Sequence, residues 1–278
     1  MLGNRLVAEL ARPVVGSVAE VERVQGFAGN ECFRLRTGAG ETFYLKSGAA
    51  EAVRAEGWAC EQARRVDVLA PEVLKVEVES PTAYLIERAV PGEPISATDE
   101  GVLATVGEQL RRLHGVTGSG YGFLHEGLKD TWNEVIRQPF ERIGELTAAG
   151  VLPVDLAAEL SALEPFAQEP SRPALLHADL HPRHIYAQDG KLTGIIDWGD
   201  AAFGDPLFEL GRFSCAGSAP TTALLAGYGL DRTPELDRIL TFYRITWSLL
   251  AMQWELAANG DWFAAHAEAI RSDLPLLA

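Results

Sequence analysis

The sequence predicts an α+β protein with two lobes, a small lobe with an antiparallel sheet and one helix, and a larger, mainly helical lobe. Short segments of alternating apolar and polar residues crowd the first 90 positions, whereas apolar residues at helical spacing dominate the remainder. The turn-rich sequence PGEP separates the two patterns. We therefore expect a small lobe at residues 1–90, a hinge near 87–92 and a large lobe at 91–278.

The small lobe is predicted to be a meander of strands with one helix. Strand-like alternation occurs in VAEVERVQGF, ECFRLRT and TFYLKS, and TGAGE before the third segment is typical of a turn. Two further strand candidates, VLKVEVES and TAYLIERAV, follow Pro71. The helix is expected over EAVRAEGWACEQARR, and its residues at core spacing are Val53, Trp58, Ala59 and Ala63.

The large lobe is predicted to contain helices around one hairpin. Ser96 and Asp99 form a possible capping box before the first helix. The apolar face of that helix consists of Leu103, Val106, Leu110 and Leu113. The hairpin is expected to join HIYAQ to LTGIID through an Asp-Gly turn. The other helices are expected at Trp132–Ala149, Asp155–Ala167, Asp205–Ser214, Thr221–Tyr228, Glu235–Ala258 and Trp262–Ile270.

Composition narrows the classes of function. The chain has 278 residues and a formal net charge of -15, so the phosphates of a nucleic acid would be repelled. No apolar segment is long enough for a membrane span, and a soluble protein is expected. The scattered Cys32, Cys60 and Cys215 suggest neither disulfides nor a zinc site and favour the cytoplasm. The acidic balance suits a cationic substrate, and equally a surface that only maintains solubility.

The segment LLHADLHPRHIYAQDGKLTGIIDWGD concentrates the side chains that can bind metals or move protons. In its first part, His177, Asp179 and His181 alternate, as zinc ligands on an extended strand would. However, Pro182 follows immediately, and no second histidine cluster completes a site. A zinc hydrolase is therefore disfavoured.

Phosphoryl transfer accounts for more of the residues. It requires a carboxylate for the acceptor hydroxyl, a metal site, a lysine for the nucleotide phosphates and a loop that covers the nucleotide. Lys46 ends a predicted strand, and Glu56 lies on the next helix, where it could pair with that lysine. Asp197 ends the second strand of the hairpin, where a metal-binding carboxylate can face a cleft.

The order of these motifs resembles that of the aminoglycoside phosphotransferase family, antibiotic and small-metabolite kinases that share the protein-kinase fold. The motifs that carry the resemblance are HADLHPRH, GIIDWGD and FGDPLFEL, with YLIERAVPGEPI similar to the hinge and GEQLRRLHGV similar to the helix after it. The resemblance implies transfer of the γ-phosphate of ATP or GTP, with Mg²⁺, to a small molecule such as an aminoglycoside or a macrolide-like antibiotic.

The resemblance also implies roles for individual residues. Asp179 would accept or orient the acceptor hydroxyl, Asp197 would bind Mg²⁺, and Lys46 would contact the nucleotide phosphates with Glu56 as its ion-pair partner. Asp205 resembles a structural aspartate that clamps the catalytic loop. His177 resembles a histidine that supports the same loop. The remaining residues of the nucleotide site would be Glu87 in the hinge and Gly26, Gly29 and Asn30 in QGFAGNECF, which could equally be an ordinary hairpin turn.

His184 departs from the family pattern, in which an asparagine five residues after the catalytic aspartate binds metal. Mg²⁺ prefers oxygen ligands, so a second metal site would be weak or differently built, or His184 would only pack and hydrogen-bond. Histidine here is similar to the pattern in macrolide kinases and aminoglycoside 2''-phosphotransferases, where GTP use is known. The choice between ATP and GTP therefore stays open.

The acceptor is the least determined part of the prediction. Asp200, Trp254 and Glu255 are candidates to bind a cationic, sugar-like acceptor, although aromatic residues at helical spacing are more often core. One alternative is a housekeeping kinase for a choline, homoserine or fructosamine-like acceptor. Another is a catalytically weak relative that only binds nucleotide, against which the retained Asp179, Asp197 and Lys46 argue.

Overall fold

The computed structural model describes residues 2–24, 30–80, 82–163 and 169–277. An antiparallel sheet occupies the amino-terminal part and helices dominate the remainder, which confirms the predicted α+β class. The strands are β1 (Val18–Val24), β2 (Glu31–Thr37), β3 (Thr42–Gly48), β4 (Val73–Glu77), β5 (Ala83–Arg88), β6 (Glu93–Pro94), β7 (Gly122–Phe123), β8 (Ala174–Leu176), β9 (Ile185–Gln188), β10 (Lys191–Ile195) and β11 (Ala202–Gly204). The helices are α1 (Asn4–Val15), α2 (Ala50–Arg65), α3 (Glu100–Leu113), α4 (Trp132–Glu141), α5 (Ile143–Ala148), α6 (Val154–Ser161), α7 (Pro206–Ser214), α8 (Ser218–Tyr228), α9 (Pro234–Ala258) and α10 (Phe263–Asp273).

The five-stranded sheet has the order β1-β2-β3-β5-β4, and each neighbouring pair is antiparallel. Successive side chains on a strand point to opposite faces. One face, which includes Phe33 and Leu45, packs against Val7 of α1. The opposite face of β3 therefore presents Lys46 towards α2, which packs beside β4 and β5.

Two details of the predicted small lobe are wrong. The sequence predicts one helix in the small lobe. However, α1 also packs on the sheet through Val7 and Ala11, which are one helical turn apart. Trp58 was expected in the core, yet it is 38% exposed and meets the ring of Phe203 edge-on at 5.8 Å. At about 100° per residue, position 58 lies about 100° around α2 from the buried Ala59 and about 140° from the buried Ala63.

Helix α3 begins after a turn rather than at the predicted capping box. Asp99 Oδ2 accepts from the backbone N–H of Ser96 at 2.9 Å, but neither side chain caps the helix, which begins at Glu100. The predicted apolar face is buried against α8, which crosses at Gly107. A Cβ atom at Gly107 would lie 2.1 Å from the carbonyl oxygen of Leu224, so the crossing requires glycine.

The predicted helix over Trp132–Ala149 is divided into α4 and α5 at Arg142, three residues after Pro139. Pro139 lacks the N–H that would bond the carbonyl oxygen of Val135, so the helical hydrogen bonding is already weakened in the turn before the division. The other predicted helices are present with ends that differ by up to three residues, except that α6 ends at Ser161, and residues 164–167 of the predicted Asp155–Ala167 helix lie outside the described residues. No helix in the described part of the chain is long and apolar enough to cross a membrane.

The predicted hairpin is formed by β9 and β10, and both turn residues, Asp189 and Gly190, have positive φ as a tight primed turn requires. β6 pairs with the outer side of β9. A second short sheet has the order β7-β11-β8. The ends of β8 and β10 lead directly into the loops that carry Asp179 and Asp197.

Candidate active site

Backbone hydrogen bonds bring the loops of Asp179 and Asp197 together. The backbone N–H of Ile196 donates to the carbonyl oxygen of His184 at 2.8 Å. The buried ring of His177 joins the same two loops, because its Nε2 donates to the carbonyl oxygen of Ile196 at 2.8 Å while its Nδ1 accepts from the N–H of Asp179 at 3.3 Å. His177 thus supports the loop, as the sequence predicted, and does not need to touch a substrate.

The residue that clamps the catalytic loop is Glu209 rather than the predicted Asp205. The two carboxylate oxygens of Glu209 accept from the N–H groups of His177 and Ala178 at 2.9 and 3.0 Å, and one also bonds His114 Nε2 at 3.1 Å. Asp205 instead caps α7, where it accepts from the N–H of Leu207 at 2.9 Å. The N-cap position turns the Asp205 side chain back onto its own helix, and Glu209 lies one turn further along.

Asp179 is held between two arginines. The Nε and Nη2 atoms of Arg212 each lie 2.8 Å from Oδ1 of Asp179, and Nη2 of Arg183 donates to Oδ2 at 3.2 Å. Arg212 is only 4% exposed, and its guanidinium lies 3.6 Å from the ring centroid of Trp247. Neither arginine is among the site residues predicted from the sequence. The available signal for Arg212 was its position three residues after Glu209, on the same face of α7.

Lys46 is surrounded by three carboxylates. Its Nζ forms an ion pair with Glu56 and lies 3.2 Å from Glu87 Oε1 and 3.9 Å from Asp197 Oδ1. Burial acts to lower the pKa of Lys46, but these carboxylates raise it well above its usual value. Burial raises the pKa of Glu56 to about 7, although Lys46 opposes that change. Lys46 is therefore charged, and Glu56 can take up a proton near neutral pH.

His184 lies between the two aspartates. Its Nδ1 is 2.9 Å from the carbonyl oxygen of Asp179, which can only accept, so Nδ1 carries the proton. Its Nε2 therefore holds a lone pair, which accepts from Nε of Arg183 at 2.9 Å, and it lies 3.5 Å from Asp197 Oδ2. Burial lowers the pKa of His184, so the ring is neutral near pH 7.

Asp197 fits a magnesium site better than His184 does. Burial acts to raise the pKa of Asp197, but the charge of Lys46 lowers it below its usual value, so the carboxylate is ionised. Its side chain is 56% exposed and offers oxygen atoms, the ligands that Mg²⁺ prefers. No group of three or more His, Cys, Asp or Glu side chains in the described ranges could hold a metal alone. Magnesium would therefore need ligands from a nucleotide and water as well.

The other predicted site residues differ in how they are placed relative to Lys46, Asp179 and Asp197. Burial and the nearby Asp179 and Asp197 raise the pKa of Asp200 to about 7. The side chain of Asn30 lies against Gly48, two residues after Lys46, because a Cβ atom at Gly48 would be 2.2 Å from Asn30 Oδ1. Gly26 and Gly29 lie outside the described residues.

A pocket of about 240 Å³ lies where β7, α4 and α9 meet, and Phe123, Glu126 and Trp254 contribute to its lining. Trp254 meets Phe123 edge-on at 5.2 Å, and β7 belongs to the sheet whose strand β8 leads into the catalytic loop. Glu255 does not line this pocket. It is buried near Gly260, where a Cβ atom would lie 1.5 Å from Glu255 Oε2.

Solved structures with the same fold include two types of antibiotic kinase. A thermostable mutant of aminoglycoside phosphotransferase APH(4)-Ia, in a ternary complex with ADP and hygromycin B, is 22% identical, with a TM-score of 0.75 over 98% of this chain and 99% of that one. Macrolide 2'-phosphotransferase MphH from Brachybacterium faecium is 20% identical, with a TM-score of 0.68 over 98% of this chain and 97% of that one. These likenesses confirm the bilobal, protein-kinase-like fold that the sequence predicted.

Two further proteins are similar to this chain over very different lengths. A candidate fructosamine-3-kinase from Thermobifida fusca YX-ER1 is 18% identical, with a TM-score of 0.72 over 98% of this chain and 100% of that one. Among curated proteins, uncharacterized protein YcbJ of Bacillus subtilis (strain 168) is 37% identical over 60 residues, which are 21% of this chain and 20% of that protein. The matched region thus spans only about a fifth of the length of that relative.

A family model provides the assignment that these pairwise likenesses do not. The model of the phosphotransferase enzyme family, APH, matches residues 20–242. That range includes Lys46, the catalytic-loop motif and the hairpin that ends near Asp197. Because the match covers most of the sequence, the chain belongs to the aminoglycoside phosphotransferase family of small-molecule phosphotransferases.

Proposed function

We propose that this protein transfers the γ-phosphate of ATP or GTP to a hydroxyl group of a small molecule, with Asp179 as the catalytic carboxylate. The observation that carries the proposal is the convergence of two carboxylates on one imidazole, because Nδ1 of His184 lies 3.6 Å from Asp179 Oδ2 and its Nε2 lies 3.5 Å from Asp197 Oδ2. Lys46 reaches the same place, 3.9 Å from Asp197. A base, a metal ligand and a phosphate-binding cation are thereby within one small volume, as phosphoryl transfer requires.

In the proposed reaction, the acceptor hydroxyl approaches Oδ2 of Asp179, since Arg212 occupies Oδ1 with two N–H groups. A bond forms between the hydroxyl oxygen and the γ-phosphorus as the bond from that phosphorus to the β–γ bridging oxygen breaks. The bridging oxygen keeps the electron pair and leaves with the nucleoside diphosphate. The hydroxyl proton passes to Asp179, whose main contribution is to orient the acceptor.

The nucleotide side of the proposal rests on Lys46 and Asp197. Lys46 would give up some of its contacts with the surrounding carboxylates and contact the nucleotide phosphates instead. Glu56 and Glu87 would keep its side chain in position. Asp197 would hold Mg²⁺, which supplies neutralisation of phosphate charge when bound. The predicted contributions of Gly26, Gly29 and Asn30 to the nucleotide-covering turn stay part of this proposal.

For the acceptor, we propose a cationic, sugar-like molecule such as an aminoglycoside or a macrolide-like antibiotic. Glu126 and Trp254 line the pocket beside β7, and together they could bind an ammonium group through charge and the aromatic face. Asp200 could add a carboxylate near the reaction centre, whereas Glu255 would act only if the end of α9 rearranged. Antibiotic resistance is the physiological role that this acceptor class implies.

A housekeeping metabolite kinase is the second candidate. The structural likeness to a candidate fructosamine-3-kinase favours it, because that acceptor class also joins a sugar to an amine. The two candidates share the catalytic residues and differ only in the acceptor pocket. We further propose a lobe boundary near residue 90, a hinge at 87–92 and a cytoplasmic location, where nucleoside triphosphates are present and the three cysteines would stay as free thiols.

Two variants test the proposed division of roles. Asp179→Asn should abolish most turnover and leave nucleotide binding nearly unchanged, whereas Asp197→Asn should weaken Mg²⁺-dependent nucleotide binding. Thermal shift with ATP or GTP, with and without Mg²⁺, measures binding. Release of nucleoside diphosphate with aminoglycosides, macrolides, choline, homoserine or fructosamine measures turnover and identifies the acceptor class. Full activity of both variants would contradict the assignment, and binding without turnover for every acceptor would favour a nucleotide-binding relative.

A further inference from the structure

Arg183 occupies the space between the catalytic carboxylate and the metal site. Its Nη2 donates to Asp179 Oδ2 at 3.2 Å, and its Nε donates to His184 Nε2 at 2.9 Å. The Arg183 side chain is 58% exposed, so it can move. The planar guanidinium therefore bridges the two groups that phosphoryl transfer would use, from within the catalytic loop itself.

The contact with His184 removes this imidazole as a metal ligand in the observed arrangement. Its Nδ1 proton is committed to the carbonyl oxygen of Asp179, so Nε2 holds the only lone pair that could bind a metal. Arg183 already uses that lone pair. A cation at this position would also have to approach the positive charge of Arg183, which opposes its binding.

The contact with Asp179 puts the same guanidinium beside the reactive oxygen. Arg212 holds Oδ1, so Oδ2 is the oxygen that remains for an acceptor hydroxyl. His184 Nε2, the other partner of Arg183, lies 3.5 Å from Asp197 Oδ2. A phosphoryl group in transit from a nucleotide held near Asp197 to an acceptor held at Asp179 would pass beside Arg183.

We propose that Arg183 is a further catalytic residue, which contacts the transferring phosphoryl group and supplies the positive charge that a second metal ion would otherwise provide. His184 then acts as a positioning residue for Arg183 and not as a metal ligand. The inference rests on the proposed phosphotransferase function. Arginine suits the role because its fork of N–H groups matches two phosphate oxygens and its charge is permanent.

In the reacting complex, Arg183 releases Asp179 Oδ2 to the acceptor hydroxyl and turns its Nη groups to the γ-phosphate oxygens, while its Nε stays bonded to His184 Nε2. The negative charge on those oxygens persists while the acceptor oxygen bonds to phosphorus and the bond to the bridging oxygen breaks. Arg183 stays protonated throughout, and the hydroxyl proton goes to Asp179. Arginines that act on phosphoryl groups in this way raise turnover by about 10³–10⁵-fold in other phosphotransferases.

Counting bound Mn²⁺ tests the absence of a second metal without relying on activity. We expect one Mn²⁺ per wild-type chain by electron paramagnetic resonance with a saturating non-hydrolysable nucleotide. The double variant Arg183→Gly/His184→Asn, which frees the position and supplies an oxygen ligand, should bind two. Two Mn²⁺ ions in the wild type, or one in both proteins, would overturn the inference. A wild type that shows no Mg²⁺-dependent nucleotide binding would instead reject the proposed function, and the inference with it.

Kinetics separate a catalytic from a structural role for Arg183. With water or an identified acceptor, Arg183→Ala should lower kcat at least about 100-fold and change KM for the nucleotide little, whereas Arg183→Lys should recover part of kcat. Arg65→Ala removes an exposed arginine of α2 and serves as the control, with kcat unchanged. Wild-type kcat in Arg183→Ala would exclude the proposed role, as would an equal loss in Arg65→Ala.

Discussion

The candidate active site contains two groups of charged side chains with opposite arrangements. In the first, Lys46 is surrounded by the carboxylates of Glu56, Glu87 and Asp197. In the second, Asp179 is held between the guanidinium groups of Arg212 and Arg183. Each functional charge is thus outnumbered by its partners, with carboxylates in excess at one centre and arginines in excess at the other.

The difference makes one centre sensitive to pH and the other resistant. Carboxylates crowded in a buried place compete for protons, and the pKa values of Glu56 and Asp200 are both raised to about 7, mainly by burial. Arginine keeps its charge at any ordinary pH, so protons do not remove the partners of Asp179. The lysine centre can therefore adjust its charge when phosphates or cations arrive, whereas the aspartate centre has fixed partners.

Arg212→Met should have the largest effect, because it removes a buried partner that Asp179 needs. Loss of one member of a buried ion pair costs about 3–5 kcal/mol in unfolding free energy. We expect that loss in denaturant unfolding, together with a large drop in kcat. The matched control is Arg232→Met, which breaks the more exposed pair with Asp237 and should cost less than about 1 kcal/mol. Equal losses in the two variants would show that Asp179 does not depend on Arg212.

Asp200→Asn should alter how stability depends on pH. The pKa of Asp200 is about 7 in the folded chain against 3.8 as the ordinary value, so the folded state binds the proton more tightly. Wild-type stability should therefore fall as pH rises from about 4 to about 7, and this part of the fall should be absent in Asp200→Asn. In calorimetry without nucleotide or metal, the variant should melt a few degrees higher than wild type at pH 8 and nearly equally at pH 4.

The exposed Asp231 provides the control for this pH test, and Asp231→Asn should leave the wild-type pH profile unchanged. If Asp200→Asn followed the wild-type profile as well, Asp200 would not hold a proton in the folded chain. The crowding of carboxylates around Lys46 would then not extend to Asp200.

Glu87→Gln should tighten nucleotide binding. Glu87 lies 3.2 Å from Lys46 Nζ, and burial raises its pKa against the influence of Lys46. The substitution removes one of the negative charges that compete with phosphate for Lys46 and keeps the shape of the side chain. We expect about threefold to tenfold tighter binding by isothermal titration calorimetry, which is about 1 kcal/mol. Glu79→Gln, in the connection before β5, is the control, and weaker binding in Glu87→Gln would mean that Glu87 is needed to position Lys46 or to contact the nucleotide.

Tyr243→Phe should have the smallest effect on catalysis and tests whether Asp205 is a scaffold residue. The Tyr243 hydroxyl donates to Asp205 at 2.6 Å and accepts from Trp132 Nε1 at 3.0 Å. Loss of these bonds should lower the unfolding free energy by about 1–3 kcal/mol because the partners are buried, with kcat unchanged. A large fall in kcat, with Tyr186→Phe unaffected, would contradict the scaffold role.

The sequence was sufficient for the α+β class, the main strands and the pairing of Lys46 with Glu56, because each depends on local periodicity or on a motif. It was insufficient where a long-range choice decides. Asp205 and Glu209 both lie in GDPLFEL, and only the start of α7 determines which carboxylate faces the catalytic loop. Trp58 is large and apolar, as core residues usually are, but α2 presents it to the ring of Phe203.

The question raised by His184 shows the same limit at the level of single atoms. The sequence indicated that histidine replaces an asparagine, and hence that the second metal site was unusual. Which ring nitrogen holds the lone pair depends on the carbonyl oxygen of Asp179, and its availability depends on the rotamer of Arg183. Neither can be read from residue types.

The carboxylate of Glu209 has a consequence for how such enzymes can diversify. It joins the catalytic loop to α7 and, through His114, to α3, while Trp254 and Glu126 in the pocket proposed for the acceptor belong to other segments. Mutations that reshape the pocket therefore leave the hydrogen bonds of Glu209 intact. A lineage can exchange one acceptor for another in small steps, without passing through ancestors whose catalytic loop is misplaced.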